Sequence, residues 1–161
     1  MKKNYFTEEL SKMYENLFKE IENFKSKVEE VRQSSKNNPE LLVSKTNNSN
    51  ILVSVITPAY NARIFLPSLY LSLRKQSIAK NIEWIIVDDY SMDDSINFYE
   101  QLKNDDTLGQ VKVFRNEKNL GAGTSLKRGF SLATSNVLAW VSADDYYVSE
   151  NKLEEDLKLI N

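Results

Sequence analysis

The chain has 161 residues, of which 41% are apolar and 27% charged, and its formal net charge is −2. This is the composition of a soluble globular protein with one domain and an extension, and it offers no basic field for nucleic acid. Cysteine and histidine are both absent, which excludes disulfides, thiolate nucleophiles, imidazole bases and ordinary zinc sites. Any metal must therefore bind oxygen ligands, which favour Mg²⁺, Mn²⁺ or Ca²⁺.

Nothing in the sequence predicts a membrane span or a secretory signal. The first residues, MKKNYFTEEL, lack an apolar signal core, and no run approaches the ~18 apolar residues that a span needs. We expect a cytoplasmic protein, and a peripheral position at the inner membrane face is compatible with this expectation.

Residues 7–33 are predicted to form one long helix. Thr7 is a candidate N-cap, and Glu8 and Glu9 suit the positive first turn. Apolar residues then follow at alternating spacings of four and three, which is a heptad pattern: Leu10, Tyr14, Leu17, Ile21, Phe24, Val28 and Val31. The pattern fits either a coiled coil that joins two copies of the chain as a homodimer or an amphipathic helix packed on its own domain. Residues 34–50, SSKNNPELLVSKTNNSN, have the composition of a linker.

From residue 51 onward, short apolar runs alternate with segments of helical periodicity. Strands are predicted over 51–57, 83–87, 111–114 and 137–141, and helices over 64–76, 95–103, 123–133 and 151–160. This alternation predicts an α/β fold with a mostly parallel, Rossmann-like sheet and helices on its faces. We expect the strand order third-second-first-fourth, with right-handed crossovers.

Polar residues collect where each predicted strand ends. The four ends read TPAYN, VDDYSMDD, FRNEKNLGAG and VSADDYY. Ligands of open α/β sheets bind beyond the carboxyl ends of the strands, so these segments predict a site. Within them, Asp93 or Asp94 is expected to cap the following helix, while Asp105–Asp106 is expected to be a solvated surface pair.

These segments, in this order, resemble the nucleotide-binding half of a family 2 glycosyltransferase of the GT-A fold, over about residues 51–159. The resemblance implies transfer of a sugar from a nucleoside diphosphate sugar. UDP is the commonest nucleotide among the donors of that family. It implies that Pro58, Tyr60 and Asn61 border the nucleobase and that Asp88 and Asp89 contact the base and sugar.

The remaining donor residues are also implied by the resemblance. Gly121 belongs to the turn before the third helix, and either Lys127 or Arg128 faces the donor. Asp144 and Asp145 would hold Mn²⁺ or Mg²⁺, with Asp145 in direct contact and Asp144 also near the sugar or ribose. The sequence departs from the family pattern at two positions, with Tyr90 in place of Gly and Ser142 in place of the first metal-motif Asp.

The family's general base and acceptor site lie beyond the segment that this sequence matches. We therefore expect a fragment of a larger transferase rather than a truncated product that binds the donor without transferring its sugar. The acceptor, whether glycan, lipid or protein, is not defined. An alternative is a response-regulator receiver, in which the Asp pair after the first strand binds Mg²⁺. That alternative leaves residues 51–61 as an unexplained strand, and it needs a later strand that ends in Lys.

Overall fold

The computed structural model describes residues 15, 16, 18–20, 22, 23, 26, 41–48 and 50–160. Within these residues the fold is built around one five-stranded sheet. Its strands are β1 (Leu41–Thr46), β2 (Val53–Ala59), β3 (Ile82–Asp88), β4 (Gln110–Arg115) and β5 (Leu138–Trp140). The helices that alternate with them are α1 (Leu66–Arg74), α2 (Ser95–Leu102), α3 (Ala122–Leu132) and α4 (Lys152–Ile160). The predicted alternation of strands and helices is confirmed.

The strand order is β1-β4-β3-β2-β5, and β4, β3, β2 and β5 are parallel. This is the predicted order of the four strands after residue 51. The strands β2 and β3 are buried almost along their full length because helices cover both faces of the sheet.

The strand β1 corrects the predicted linker over residues 34–50. Leu41–Thr46 pairs antiparallel with β4 at the sheet edge. Of its residues only Val43 is fully buried, so the segment LLVSKT lacks the continuous apolar run by which the other strands were found. A short edge strand that carries Lys is a common way to protect a sheet edge.

Pro58 lies within β2, although the strand was predicted to end before it. The Val141 N–H donates to the Ile56 carbonyl and the Ser54 N–H donates to Val137, so these alternate residues of β2 face β5. Pro58 faces the same side, but the pairing with β5 ends at Ile56. The missing proline N–H therefore costs no sheet hydrogen bond, and β2 continues to Ala59.

Apolar side chains fill both faces of the sheet. On one face, Trp84 stacks against Tyr70 of α1 with ring centroids 5.8 Å apart, and its Nε1 donates to Thr57 Oγ1 at 3.0 Å. On the other face, α3 approaches β2 closely at Gly129, where an added Cβ would lie 2.3 Å from Ile56 Cγ2. Glycine at this position is therefore required by packing.

A buried polar cluster lies at the amino ends of the central strands, opposite the predicted site. Glu83 accepts hydrogen bonds from Lys112 Nζ at 2.6 Å, from the Thr134 N–H at 2.8 Å and from the Ser54 hydroxyl. Burial opposes ionisation of Glu83, but these partners outweigh it and lower its pKa. The cluster fixes the connection from α3 to β5.

The described positions between residues 15 and 26 are helical, and the helix over residues 7–33 as a whole stays a prediction. The residues of the heptad pattern lie outside the described part of the chain, so the coiled coil and the homodimer stay predictions. The chain divides into two units, residues 1–38 and 39–161. Within the described residues, no helix is both long and apolar enough to cross a bilayer.

Candidate functional site

The carboxyl ends of β2, β3, β4 and β5 meet at one edge of the sheet because these strands are parallel. In the register, Ala59 lies beside Asp88 and Asp88 beside Arg115. The four polar segments predicted from the sequence therefore follow neighbouring strands, and the carboxylates Asp89, Asp144 and Asp145 follow strands on the same edge.

Asp88 is a fully buried carboxylate at the end of β3. Its Oδ2 accepts from the Ser91 N–H at 3.1 Å and lies 3.4 Å from Arg115 Nε, while its Oδ1 accepts from the Tyr99 hydroxyl at 3.0 Å. Burial raises the pKa of Asp88, although Ser91, Arg115 and Tyr99 favour its ionised form. The side chain is engaged with the protein interior, where it braces the loop between β3 and α2.

Asp89, directly after β3, is also buried, at 2% exposed, but its side chain faces the turn that precedes α3. Its Oδ1 accepts from Asn116 Nδ2 and from the Leu120 N–H, both at 2.8 Å, and its Oδ2 accepts from the Gly121 N–H at 2.7 Å. Burial favours the neutral acid, but these donors and the Ser125 hydroxyl outweigh it and lower the pKa of Asp89. Asp89 is thus held as an anion by donors from the residue after β4, from the turn before α3 and from α3 itself.

Two loops of the site are joined by direct hydrogen bonds. The Asn61 N–H donates to Ser91 Oγ at 2.9 Å, and Asn61 Oδ1 accepts from the Met92 N–H at 2.8 Å. Asn61 has a φ of +49°, a left-handed conformation that Asn tolerates well. The link holds the loop after β2 against the loop after β3.

Tyr90 also adopts a left-handed conformation, with a φ of +69°. This explains why glycine is the usual residue here in the pattern that the sequence resembles. The ring of Tyr90 lies under the Arg115 guanidinium, 5.3 Å from its centroid, and Arg115 Nη2 donates to the Ser91 carbonyl at 2.6 Å. Arg115 therefore supports the strained loop from β4.

The other predicted donor residues have the following positions. Pro58 is half-buried in β2, Tyr60 is 51% exposed directly after β2, and Gly121 is the last residue before α3, with a φ of +86°. Lys127 is exposed on α3, whereas Arg128 is half-buried and its Nη1 donates to Asn116 Oδ1 at 2.6 Å. Of the two basic candidates, Lys127 is the one with an exposed side chain.

Asp144 and Asp145 are exposed after β5, and the Asp145 N–H donates to the Ser142 carbonyl at 3.1 Å. Among the described residues, no group of three or more carboxylates, His or Cys is arranged to hold a metal. Two exposed carboxylates do fit an ion that is shared with a phosphate ligand, because Mg²⁺ usually binds through one or two carboxylates, substrate phosphates and water. The residues therefore suit a metal that arrives with a diphosphate.

Three supporting residues were not singled out from the sequence: Arg115, Asn116 and Ser125. Arg115 and Asn116 stand at the carboxyl end of β4, and Ser125 lies in the first turns of α3. A polar side chain directly after a buried strand was the available signal. Asn116 and Ser125 are both buried, and Asn116 Nδ2 also donates to Ser125 Oγ at 2.8 Å.

Two other acidic residues are placed by the structure. Asp93 accepts from the Ser95 N–H at 3.1 Å, the first N–H of α2, and from the Arg63 N–H at 2.9 Å in the loop after β2. The N-cap position itself is Asp94, whose side chain makes no capping hydrogen bond. The prediction for Asp105 is wrong. It is 4% exposed, because its carboxylate accepts from Tyr70 and from the N–H groups of the turn that follows.

Comparison with known proteins identifies the family. The model of "Glycosyl transferase family 2" matches residues 54–161, which is most of the described chain. The chain belongs to this glycosyltransferase family. An uncharacterized glycosyltransferase of Haemophilus influenzae is 33% identical over 109 residues, which are 68% of this chain and 42% of that protein. The chain thus spans less than half the length of this family member.

Two further glycosyltransferases are informative. An Escherichia coli enzyme, UDP-Glc:alpha-D-GlcNAc-diphosphoundecaprenol beta-1,3-glucosyltransferase WfgD, is 30% identical over 109 residues, covering 68% of this chain and 41% of that enzyme. The crystal structure of S. aureus TarS 1–349 in complex with UDP-GlcNAc matches with a TM-score of 0.62 and 30% identity, covering 68% of this chain and 31% of that one. The GT-A fold expected from the sequence is confirmed.

Proposed function

We propose that this chain forms the donor-binding half of a glycosyltransferase. The enzyme would bind a UDP-sugar together with a divalent ion and transfer the sugar to a hydroxyl group of an acceptor. The observation that carries the proposal is the position of Asp89, which is held by Asn116, Leu120 and Gly121. It lies at the same edge of the sheet as the carboxylate pair Asp144–Asp145. TarS, which is 30% identical, has been crystallised with UDP and with UDP-GlcNAc, and WfgD is named for UDP-Glc.

Asp89 is suited to recognise the base. A carboxylate only accepts hydrogen bonds, and uracil offers an imide N–H that an acceptor can bind. The donors around Asp89 keep it ionised, and burial strengthens its hydrogen bonds. Tyr60 follows β2, the neighbouring strand, and its exposed ring is available to pack against a planar base.

Asp144 and Asp145 are suited to the diphosphate end of the donor. A diphosphate brought to a site lined by carboxylates would be repelled unless a cation lay between them. A bound Mn²⁺ or Mg²⁺ would offset the charge of the diphosphate and stabilise it as a leaving group. We assign the direct metal contact to Asp145, with Asp144 near the sugar or ribose and Lys127 toward the phosphates.

Asp88 has a supporting role in this proposal. Its hydrogen bonds to Ser91 and Tyr99 and its ion pair with Arg115 keep the loop after β3 in place, so the donor contact falls to Asp89. We assign no general base, and the acceptor, a cytoplasmic location and pairing through residues 7–33 stay predictions.

The proposal is tested by thermal unfolding with a panel of nucleoside diphosphates, each with and without Mn²⁺. UDP with Mn²⁺ should raise the unfolding free energy by about 2.7 kcal/mol at a hundredfold excess over its Kd. Asp89→Asn should weaken the nucleotide effect, while the matched control Asp106→Asn, at an exposed position, should not. If no nucleoside diphosphate stabilises the chain, with or without Mn²⁺, the proposed donor site is refuted.

A further inference from the structure

The Asp89 carboxylate is not held by the backbone alone. Asn116, at the carboxyl end of β4, is 2% exposed and directs its Nδ2 to Asp89 Oδ1 at 2.8 Å and to Ser125 Oγ at 2.8 Å. Its Oδ1 accepts from Arg128 Nη1 at 2.6 Å. The four side chains form a continuous path from α3 through β4 to the end of β3.

The order of donors along this path is determined by the chemistry of Arg128. A guanidinium only donates hydrogen bonds, so the atom of Asn116 that faces it must be the carbonyl oxygen. The amide nitrogen is then turned toward Asp89, where it donates. A reversed amide would place its oxygen against a carboxylate and its N–H groups against a guanidinium, so both contacts would be repulsive.

We propose, given the donor site described above, that Asn116 is a positioning residue which orients Asp89 for the nucleobase, and that Arg128 acts through Asn116. This separates the two basic residues of α3 that the family resemblance left open. Lys127 is the direct contact to the donor, and Arg128 fixes the amide that fixes Asp89. Ser125 completes the arrangement, because it accepts from Asn116 and donates to Asp89.

A double-mutant cycle on UDP affinity distinguishes this role from a direct contact. Asn116→Leu and Arg128→Met should each raise the Kd for UDP, by about tenfold for a lost charge-assisted hydrogen bond. Because Asn116 and Arg128 act through the same amide, the Kd of the double variant for UDP should not exceed the higher of the two single-variant values. Lys127→Met should instead combine multiplicatively with Asn116→Leu. Asn97→Leu, at an exposed position of α2, is the matched control and should leave the Kd unchanged.

A second measurement does not depend on UDP. The ¹³C shift of the Asp89 carboxyl carbon is followed against pH in the wild type, Asn116→Leu and the milder Ser125→Ala. Loss of a hydrogen-bond donor to the Asp89 carboxylate should raise the pKa of Asp89 in both variants. Two charged groups near Asp89 also influence its pKa, namely Asp88, beside it in sequence, and Arg128, which contacts Asn116. The titration of Asp88 serves as the internal reference.

Each outcome decides a separate question. Multiplicative effects of Asn116→Leu and Arg128→Met would show that Arg128 contacts the donor itself, and an unchanged Asp89 titration would show that Asn116 does not act on it. Either result overturns the inference. If the wild type does not bind UDP at all, the proposed function fails, and the carboxyl titration still tests the link between Asn116 and Asp89.

Discussion

Replacing Asp88 by Asn should destabilise the fold more than it weakens donor binding. Asparagine keeps one acceptor for Ser91 or Tyr99 but loses the negative charge that faces Arg115. Removing one partner of a buried ion pair costs about 3–5 kcal/mol. The Arg115 side chain is 11% exposed and retains the Ser91 carbonyl and the Tyr90 ring. Loss of the charge also relieves the burial that raises the pKa of Asp88, so we place the loss of unfolding free energy below this range, at about 2 kcal/mol.

Urea unfolding measures this loss, provided that the dependence of the unfolding free energy on urea concentration is the same in both proteins. UDP affinity is measured at a temperature where the variant remains folded. Asp106→Asn is the control, and as an exposed substitution it should change the unfolding free energy by less than about 0.5 kcal/mol. A loss below about 1 kcal/mol, together with a tenfold or greater rise in the UDP Kd, would refute the bracing role and make Asp88 a donor contact.

Four further outcomes are expected. Asp145→Asn should remove the Mn²⁺-dependent part of UDP stabilisation in thermal unfolding and leave any metal-independent part. Gly129→Ala should lower stability by about 1–3 kcal/mol in urea unfolding, because its Cβ would meet Ile56 of β2; a gain would show that α3 can move away. The pKa of Glu83 is lowered, so its contribution is present above the ordinary value of 4.5 and lost as pH falls through the folded pKa; the stability difference between wild type and Glu83→Gln should shrink accordingly below pH 4.5. Sedimentation at several concentrations should show association if residues 7–33 pair, and a monomer throughout would favour a helix packed on its own domain.

The central strands could be predicted because their apolar runs are continuous and alternate with helical periodicity, and their order followed from the Rossmann-like topology with right-handed crossovers. The edge strand β1 could not be predicted, because its segment LLVSKT has only one fully buried residue and therefore no continuous apolar run. The residues around it are rich in Asn and Ser, which is typical of a linker. Pro58 was taken to end β2, but whether a proline interrupts a strand depends on which neighbour its nitrogen faces. That neighbour, β5, is distant in sequence.

The location of the site followed from the rule that parallel strands present their carboxyl ends at one edge, and this rule brought Asp89, Asp144 and Asp145 to the same edge. The separate roles of Asp88 and Asp89 could not be predicted. Successive side chains of a strand point in opposite directions, and the direction that leads to the interior is set by Tyr99 and Arg115, which come from α2 and β4. Asp105 was missed for a similar reason, because its donors include Tyr70 of α1.

The most direct test of the account is to map UDP binding on ¹⁵N-labelled protein in the presence of Mg²⁺. If the donor site is as proposed, amide shifts should change at the carboxyl ends of the strands, in Tyr60–Asn61, Leu120–Gly121 and Asp144–Asp145, and the last pair should change only when Mg²⁺ is present. No shift should change at the opposite edge, around Glu83 and Thr134. Shifts confined to that opposite edge, or no saturable shifts with millimolar UDP and Mg²⁺, would contradict the proposed donor site.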